Sequence, residues 1–310
     1  MNNALSLVQL KFDIWLIEQL QITPPPGPTL EELRNKWNAL PSHTGSLSRA
    51  MLTTHRQNIK TFLGIEVESP DRMHYQIMNP KALALDSLAN DLLTSIQNYT
   101  FLQEYKELGD LIQPERIETG SRYLQQIGQA LRNNQKLSII YQKFTDDTPY
   151  NAVIHPYCLK ADKGRWYLFA VKQRSEHKDS LQCFALDRVL SLHLMQETFV
   201  PNPDFDATTY FRDCFGIWRE FDKYPVSDIS ISCTNKVAPY LRTLPLHHSQ
   251  REDSFREGKN GRIIFHYHIS PSPDFLAELR KWGREVKIID EITLKKKRAS
   301  CPALDVFTTE

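Results

Sequence analysis

The first eighty residues of the chain carry apolar side chains at the spacing of α-helices. Four of them repeat every three or four residues within residues 4–20: Leu7, Leu10, Ile14 and Ile17. This spacing predicts a mostly buried helix, which ends at the proline-rich run at 24–28. Thr29 and Glu32 have the spacing of a capping box, so a second helix is expected from Thr29 to near Pro41.

A longer helix and a hairpin follow. The pattern predicts a third helix over residues 47–63, capped by Gly64. Two short alternating runs, 65–68 and 73–78, flank a turn that contains a proline, and together they predict a β-hairpin. Helix, helix, turn, helix and hairpin is the order of a winged helix-turn-helix, which we expect over residues 1–80.

The third predicted helix has two chemically different sides, as a DNA recognition helix requires. Leu52, Ile59 and Phe62 share one side, which we expect to face the core. About a quarter turn away lie side chains that can pair with base edges or phosphates. With Arg72 from the hairpin turn, the predicted DNA contacts are Arg49, Thr53, Arg56, Gln57 and Lys60. An ordinary amphipathic surface helix is the alternative interpretation of the same pattern.

Charge is balanced over the whole chain but not along it. The sequence has 38 Lys and Arg residues against 37 Asp and Glu residues, so the total gives no signal for nucleic acid. Residues 33–65 carry basic side chains and no acid, whereas residues 82–120 are predominantly acidic. Because the basic window coincides with the predicted helix-turn-helix, it favours DNA contact over a merely solvated face.

The rest of the chain changes its period twice. Helical spacing over residues 81–134 predicts a helical linker that supplies dimer contacts or packs as intramolecular core. Over 135–205 the period falls to two in five short runs separated by turns, a pattern typical of a small closed β-barrel. An irregular connector at 206–225 leads to alternating strands and helices over 226–310, which fit a ferredoxin-like unit. The predicted fold class is therefore α+β with several domains.

Three ordered motifs in the predicted barrel resemble those of the WYL-domain transcriptional regulators. They are His155-Pro156-Tyr157-Cys158-Leu159, Gly164-Arg165-Trp166-Tyr167-Leu168 and Phe184-Ala185-Leu186-Asp187-Arg188-Val189. Residues 47–65 also look like the recognition helix of that group. The resemblance extends over nearly the whole chain. It implies a winged helix-turn-helix, a helical linker, an Sm/SH3-like five-stranded β-barrel and a ferredoxin-like C-terminal domain.

The resemblance also implies that the barrel senses an effector, which in some family members is single-stranded nucleic acid. Carried over by motif position, the implied ligand contacts are Tyr141, His155, Tyr157, Trp166, Tyr167 and Arg188. Arginine supplies donors for phosphate, and aromatic rings stack on bases. Trp166 and Leu168 share one strand face, so barrel core is the alternative for this pair. Asn151, Ala152 and Ala185 occupy the places where relatives tend to have arginine, which predicts a less basic pocket.

The sequence lacks the common motifs of catalysis and of structural metal sites. It contains no Gly-rich phosphate loop, Cys-x-x-Cys, His-Glu-x-x-His or Gly-x-Ser-x-Gly, so we expect neither enzymatic activity nor a cofactor. His266 and His268 on one predicted strand are more typical of packing than of zinc binding. No apolar run is long enough to cross a membrane, and five cysteines without metal-ligand spacing fit a reduced cytoplasm.

These patterns favour a cytoplasmic regulator that binds double-stranded DNA as a homodimer, with a barrel that senses nucleic acid or a nucleotide. The second hypothesis is a non-DNA-binding accessory protein whose helix-turn-helix contacts another protein. The third is an enzyme acting on nucleotides, which would need a carboxylate or histidine constellation in the barrel. An acid-lined or covered third helix would favour the accessory protein, and a metal in the barrel would favour the enzyme.

Overall fold

The computed structural model divides the chain into two compact units, residues 1–115 and residues 116–310. The structure describes residues 7–40, 47–84, 87–114, 117–146, 148–173, 181–253 and 261–289. The turn predicted between the second and third helices lies outside these ranges, as do residues 290–310 of the predicted C-terminal domain.

Unit 1 contains four helices and a two-stranded antiparallel hairpin. In chain order these are α1 (Leu7–Ile22), α2 (Leu30–Asn38), α3 (Arg49–Leu63), β1 (Val67–Glu68), β2 (Gln76–Ile77) and α4 (Leu88–Glu104), with a 3-10 turn at Pro80–Leu83 before α4. The order of helices and hairpin over the first eighty residues is the one that the sequence predicts.

Local signals set the ends of α2 and α3. The Thr29 side chain accepts from the Glu32 backbone N–H at 3.2 Å, while the Glu32 carboxylate accepts from the Thr29 N–H at 2.7 Å, so the predicted capping box is confirmed. The Ser48 hydroxyl caps α3. Gly64 ends α3 with φ of +69°, a left-handed conformation that glycine adopts without a steric penalty.

The core of unit 1 lies between α1, α2, α3 and the hairpin, and α4 joins it. Leu52 and Ile59 of α3 are buried as predicted, together with His55 and Leu63. Phe62 is 45% exposed, which corrects its predicted place in the core. α4 packs against this core through Leu93. The predicted linker over 81–134 is helical, but its first helix packs in unit 1 and its second in unit 2.

Unit 2 begins with a helix and a five-stranded antiparallel sheet. The elements are α5 (Leu124–Asn133), β3 (Gln135–Tyr141), β4 (Tyr150–Asp162), β5 (Arg165–Lys172), β6 (Leu181–Ala185) and β7 (Val189–Thr198). The strand order is β6-β5-β4-β3-β7, and a 3-10 turn at Leu186–Arg188 joins the two edge strands. One face of the sheet and α5 enclose a core that includes Ile127, Ile139 and Leu168.

A second sheet completes unit 2. After a short helix α6 (Ala207–Phe211), the elements are β8 (Ser227–Cys233), α7 (Ala238–Thr243), β9 (Arg251–Glu252), β10 (Ile263–Ile269), α8 (Pro273–Arg280) and β11 (Val286–Ile288). The strands are antiparallel in the order β11-β8-β10-β9, and α7 and α8 pack on one face. The sequence pattern missed β9, because a two-residue polar strand shows no apolar alternation.

Candidate nucleic-acid interface and candidate ligand site

The outward side of α3 forms one wall of a groove, and β1 forms the other. The groove has a volume of about 420 Å³ and is lined by Thr53, Thr54, Arg56, Gln57, Asn58, Lys60, Val67 and Glu68. Of the predicted DNA contacts on α3, Arg49, Thr53, Gln57 and Lys60 are exposed and Arg56 is half-buried. The structure therefore brings the predicted stripe together on one accessible surface, as its helical spacing requires.

The hydroxyl and amide groups of this stripe are held by neighbours one helical turn away. The Thr53 hydroxyl donates to the Arg49 carbonyl at 2.9 Å, and the Gln57 amide donates to the Thr61 hydroxyl at 3.3 Å. Both contacts are exposed, so a base edge can replace them at little cost. Arg49 lies in the first turn of α3, with its guanidinium in solvent.

Arg56 joins α3 to the hairpin. Its Nε donates to the Val67 carbonyl at 2.7 Å, and its guanidinium forms an ion pair with Glu68. The guanidinium carbon also lies 5.6 Å from the centre of the Tyr75 ring. These contacts make Arg56 a positioning residue for the hairpin in this structure, a role that the sequence stripe does not reveal.

Lys60 has an acidic partner as well. Its Nζ lies 2.9 Å from a Glu66 carboxylate oxygen, and the hydrogen bond that Lys60 donates to Glu66 raises the pKa of Lys60. Glu66 and Glu68 follow directly after the acid-free window of the sequence, and the fold returns both to α3. The surface is therefore less cationic than a count of residues 33–65 suggests.

Arg72 lies in the hairpin turn, exposed and with φ of +66°. The Asp71 carboxylate accepts from the backbone N–H groups of Met73 at 2.9 Å and His74 at 2.7 Å, and it pairs with the His74 ring. These hydrogen bonds, the His74 ring first, hold the pKa of Asp71 well below its usual range. The turn is thus ordered by Asp71, which leaves the Arg72 side chain in solvent.

A buried polar pair supports α3 from below. His55 Nδ1 lies 2.6 Å from a carboxylate oxygen of Asp13 on α1, and both side chains are almost fully buried. Burial raises the pKa of the Asp13 carboxyl, and the contact with His55 opposes that effect. The His55 ring also packs against Phe12, with 4.2 Å between ring centres. The orientation of α3 therefore depends on a polar contact inside the core.

In unit 2, Tyr141 and Arg188 of the predicted ligand set lie together. The Arg188 guanidinium carbon is 5.5 Å from the centre of the Tyr141 ring and 4.4 Å from that of Phe144. The Tyr141 hydroxyl accepts from the Ala185 N–H at 3.2 Å, and burial raises the pKa of Tyr141. Arg188 Nε is buried and has no hydrogen-bond partner among the described residues.

The acid next to Arg188 in sequence does not neutralise it. Asp187 instead lies 3.4 Å from a guanidinium nitrogen of Arg165. Within the described ranges no carboxylate lies at ion-pair distance from Arg188. Its charge is therefore held against aromatic rings and stays available to an anion.

Four further residues belong to this site that the sequence analysis missed. Tyr150 faces Tyr141 across the β3–β4 pair, with 5.9 Å between ring centres. Lys172 Nζ lies 4.5 Å and Lys143 Nζ 5.4 Å from the centre of the Tyr150 ring. The cation–aromatic cluster, as we call it, consists of Tyr141, Lys143, Phe144, Tyr150, Lys172 and Arg188. Asp146 lies 3.4 Å from Lys143 and is the acid that forms an ion pair with this cluster among the described residues.

His155 and Tyr157 lie elsewhere, against residues that follow β7. The His155 ring stacks on Phe199 at 4.8 Å and 13°, and burial lowers the pKa of His155. The Tyr157 hydroxyl accepts from the Asn202 N–H at 3.1 Å, and its ring contacts Phe205. Both side chains are thus engaged in packing residues 199–205 onto β4.

Trp166 and Tyr167 complete the predicted set without joining either group. Trp166 packs against the core below the sheet beside the fully buried Leu168, in keeping with the core alternative for that pair. Tyr167 is half-buried on the other face, and burial raises its pKa. Ala152 is buried in the core, and Ala185 provides the N–H that Tyr141 accepts. Both alanine side chains are buried, so an arginine at either position would have to displace its packed neighbours.

Two other kinds of site are absent from the described residues. None of the helices in the part of the chain that the structure describes has the length and hydropathy needed to span a bilayer. Within the same ranges, no three His, Cys, Asp or Glu side chains are arranged to hold a metal ion.

The sheet region matches a known domain family. Residues 122–194 match the family model of the WYL domain, so the chain contains a WYL domain and the resemblance carried by the barrel motifs is confirmed for this segment. The matched segment includes α5, the five strands up to Leu194 and every residue of the cation–aromatic cluster.

Solved structures show more distant similarities. The chain is similar to proteasome accessory factor B/C (PafBC) of Arthrobacter aurescens, at 19% identity and a TM-score of 0.35, with 94% of this chain and 46% of that chain covered. It is also similar to a CRISPR Cas-related protein, at 10% identity and a TM-score of 0.35, with 96% and 85% covered. The chain thus spans less than half the length of the PafBC chain. A comparison with curated proteins gives no match.

Proposed function

We propose that the protein is a transcription regulator that binds double-stranded DNA through unit 1, as a homodimer, and senses an effector through its WYL domain. The observation that carries the proposal is the outward side of α3, where Arg49, Thr53 and Gln57 present base-reading chemistry beside a groove. The WYL domain in the same chain supports a regulatory role for unit 2. A regulator of this kind works in the cytoplasm.

The architecture supports the same proposal. Three helices followed by a hairpin fit a winged helix-turn-helix, with α3 as the recognition helix. The sheet order β6-β5-β4-β3-β7, with a 3-10 turn between the edge strands, fits an Sm/SH3-like barrel. The β-α-β-β-α-β order of the last part, with β8 and β10 central, fits a ferredoxin-like domain.

The effector that best fits the cation–aromatic cluster is an anion with aromatic rings, namely a nucleotide or a short single strand. Arg188, Lys143 and Lys172 supply three positive charges, and Phe144, which is 79% exposed, supplies an open ring face. Cations attract phosphate, and open rings stack on bases with little sequence preference. Arg188 Nε is a hydrogen-bond donor that has no acceptor among the described residues.

The experiment that tests DNA binding is selection of fragments from a genomic pool by the purified full-length protein. We expect a shared sequence to be enriched, and binding to it to weaken in the Arg49→Ala/Gln57→Ala double variant. Each lost base contact should cost roughly 1 to 3 kcal/mol. Lys81→Ala, an exposed lysine outside the α3 stripe, is the control and should bind like the wild type. Failure to enrich any sequence would refute the proposal.

A second candidate function is supported by one observation, the glutamates on the α3 surface. Glu66 and Glu68 pair with Lys60 and Arg56, so part of this surface is lined by acids. Such a mixed surface suits an accessory protein whose helix-turn-helix contacts another protein. In that case the genomic selection would enrich nothing, while the folded unit would still bind a protein partner through α3.

A further inference from the structure

α4 presents a row of large apolar side chains to solvent. Leu88 is 73% exposed, Leu92 39%, Tyr99 57% and Leu102 43%. At about 100° per residue these four side chains and the exposed Ser95 fall within an arc of about 80°. We call this set the α4 stripe. Contiguous apolar surface of this kind is uncommon on soluble proteins unless something covers it.

The α4 stripe is not needed for the core of unit 1. The opposite part of the helix already packs inward through Leu93, with Ala89 and Ile96 partly buried beside it. Gln97 and Glu104 fasten α4 to α1 by contacts of 2.9 Å with Glu18 and 2.8 Å with Lys11. The helix is thus fixed in place by one side and leaves the other unpartnered.

The charges of α4 indicate what kind of surface fits the stripe. Asp91 and Glu104 are the charged residues of the helix, and Glu104 is paired with Lys11. A strongly charged partner would find nothing to pair with along the stripe. A second copy of the same uncharged face meets no like-charge repulsion and loses no hydrated ion on docking.

The spacing of the stripe indicates the same partner and gives its direction. Leu88 and Leu92 lie seven and three residues before Ser95, and Tyr99 and Leu102 lie four and seven residues after it. The row is therefore almost the same when it is followed in either direction. A twofold interface requires this property, because one patch must be complementary to itself.

We propose that two copies of the protein dimerise through α4, with the helices antiparallel and Ser95 of each at the twofold axis. Leu88 then packs against Leu102 of the partner subunit, and Leu92 against Tyr99 of the partner subunit. Serine at the crossing point allows the close helix approach of such pairs, about 8 to 10 Å between axes. This interface is the one through which the homodimer of the proposed function forms. Only the biological role of the dimer, and not the interface itself, rests on the proposed function.

The first test is the molar mass of the full-length protein in solution, measured by light scattering over a range of concentrations. The wild type should have the mass of two chains, and Leu92→Glu should weaken dimerisation on the order of tenfold or more, because it buries an unpaired carboxylate. Ile22→Glu changes an equally apolar and 68% exposed residue outside the stripe and should leave the dimer intact. Circular dichroism melts establish that both variants are folded.

The second test addresses the register. Leu88→Lys and Leu102→Glu should each weaken the homodimer, and mixing the two proteins should restore a heterodimer through one lysine–glutamate pair across the axis. A monomeric wild type, or a dimer untouched by Leu92→Glu, would overturn the proposed interface. Weakened variants without rescue on mixing would overturn the antiparallel register. No DNA is used, so the outcome is separate from that of the genomic selection.

Discussion

The two candidate sites hold their cations in different ways. On α3, Arg56 and Lys60 are paired with glutamates of the hairpin that follows. In the WYL domain, Arg188 is held against Tyr141 and Phe144 with no carboxylate at ion-pair distance in the described chain. Arginine therefore has a charge that a carboxylate screens in unit 1, and a charge that is available to an anion in unit 2. The distribution of charge along the sequence cannot distinguish these two arginines. It does not show which acidic side chains the fold brings close to a basic one.

Two buried histidines repeat this contrast inside the units. His55 contacts the carboxylate of Asp13 at 2.6 Å. In the described part of the chain, the hydrogen-bond partners of His247 are neutral: its Nε2–H donates to the Arg212 carbonyl at 2.9 Å, and its Nδ1 accepts from the Ser249 hydroxyl at 2.7 Å. Burial lowers the pKa of His247 to about 4, so this ring is neutral in the folded protein. The two buried imidazoles thus differ in whether a carboxylate is among their hydrogen-bond partners in the described chain.

Removing the buried acid of unit 1 should give the largest effect. In Asp13→Ala, His55 loses its partner while remaining buried, and breaking such a pair costs roughly 3 kcal/mol. We expect α1 and α3 to lose protection from hydrogen exchange, while the strands of unit 2 keep theirs. Asp110→Ala removes an exposed acid of the same unit and should change neither. If Asp13→Ala and the wild type show equal protection from hydrogen exchange, the buried Asp13–His55 pair stabilises the fold no more than the surface ion pairs do.

The neutral histidine of unit 2 predicts a pH effect of known sign. The unfolded chain binds a proton at His247 near pH 6.5, whereas the folded chain does so only near pH 4. This group therefore stabilises the fold fully above about pH 6.5, and the stabilisation is lost as the pH falls towards 4. After allowance for partial solvent screening, the loss should be about 2 kcal/mol.

Urea unfolding at pH 7 and pH 4.5 measures this effect. The difference in unfolding free energy between the two pH values should shrink in His247→Asn. It should be unchanged in His193→Asn, since His193 is an exposed residue of β7. An undiminished pH difference in His247→Asn would show that His247 titrates normally and that burial does not hold it uncharged.

Local features of the fold could be predicted from sequence, because short-range geometry decides them. Thr29 and Glu32 fix the start of α2, and the left-handed Gly64 fixes the end of α3. The division of residues 81–134 between two units could not be predicted, because helical spacing shows that a face is apolar but not what it packs against. The position of Phe62 failed for a related reason, since the last turn of α3 enters the core through Leu63 and leaves the neighbouring Phe62 exposed.

The sites were predictable only in part. The stripe on α3 follows from helical periodicity, but the pairing of Arg56 with Glu68 depends on where the hairpin folds back. Tyr150 and Lys172 reach Arg188 through strand register, since Tyr150 faces Tyr141 across β3 and β4. The sequence gives period two for each strand but not the residue that lies opposite.

Arg188 should dominate anion binding by the WYL domain. In Arg188→Ala, we expect calorimetry of the full-length protein with mononucleotides and short single strands to show affinity reduced roughly tenfold to a hundredfold, as for loss of a hydrogen bond to a charged group. Binding to the wild type should also fall with added salt. Arg132→Ala, which removes an exposed arginine of α5 outside the cluster, is the matched control and should bind normally. Equal binding by both variants would mean that the cluster is not the effector site.

The hairpin glutamates should oppose DNA binding, and their removal gives the smallest expected effect. Glu66→Gln with Glu68→Gln releases Lys60 and Arg56 from their ion pairs and removes two negative charges beside the groove. Exposed pairs of this kind contribute about 0 to 1 kcal/mol, so stability should hardly change while DNA affinity rises a few-fold. Each newly available phosphate contact should steepen the slope of log affinity against log salt by about 0.9.

The control for this variant is Glu107→Gln with Asp110→Asn, which changes net charge equally at exposed positions of the 106–111 segment. If both double variants gain affinity equally, the effect is one of net charge, and the glutamates do not screen Lys60 and Arg56 specifically. A gain with the hairpin variant alone, accompanied by the steeper salt slope, means that DNA competes with Glu66 and Glu68 for the same two cations. The difference between the two candidate sites would then be one of regulation, because Arg56 and Lys60 must each give up an internal acid before they can bind, whereas Arg188 has no carboxylate at ion-pair distance in the described chain.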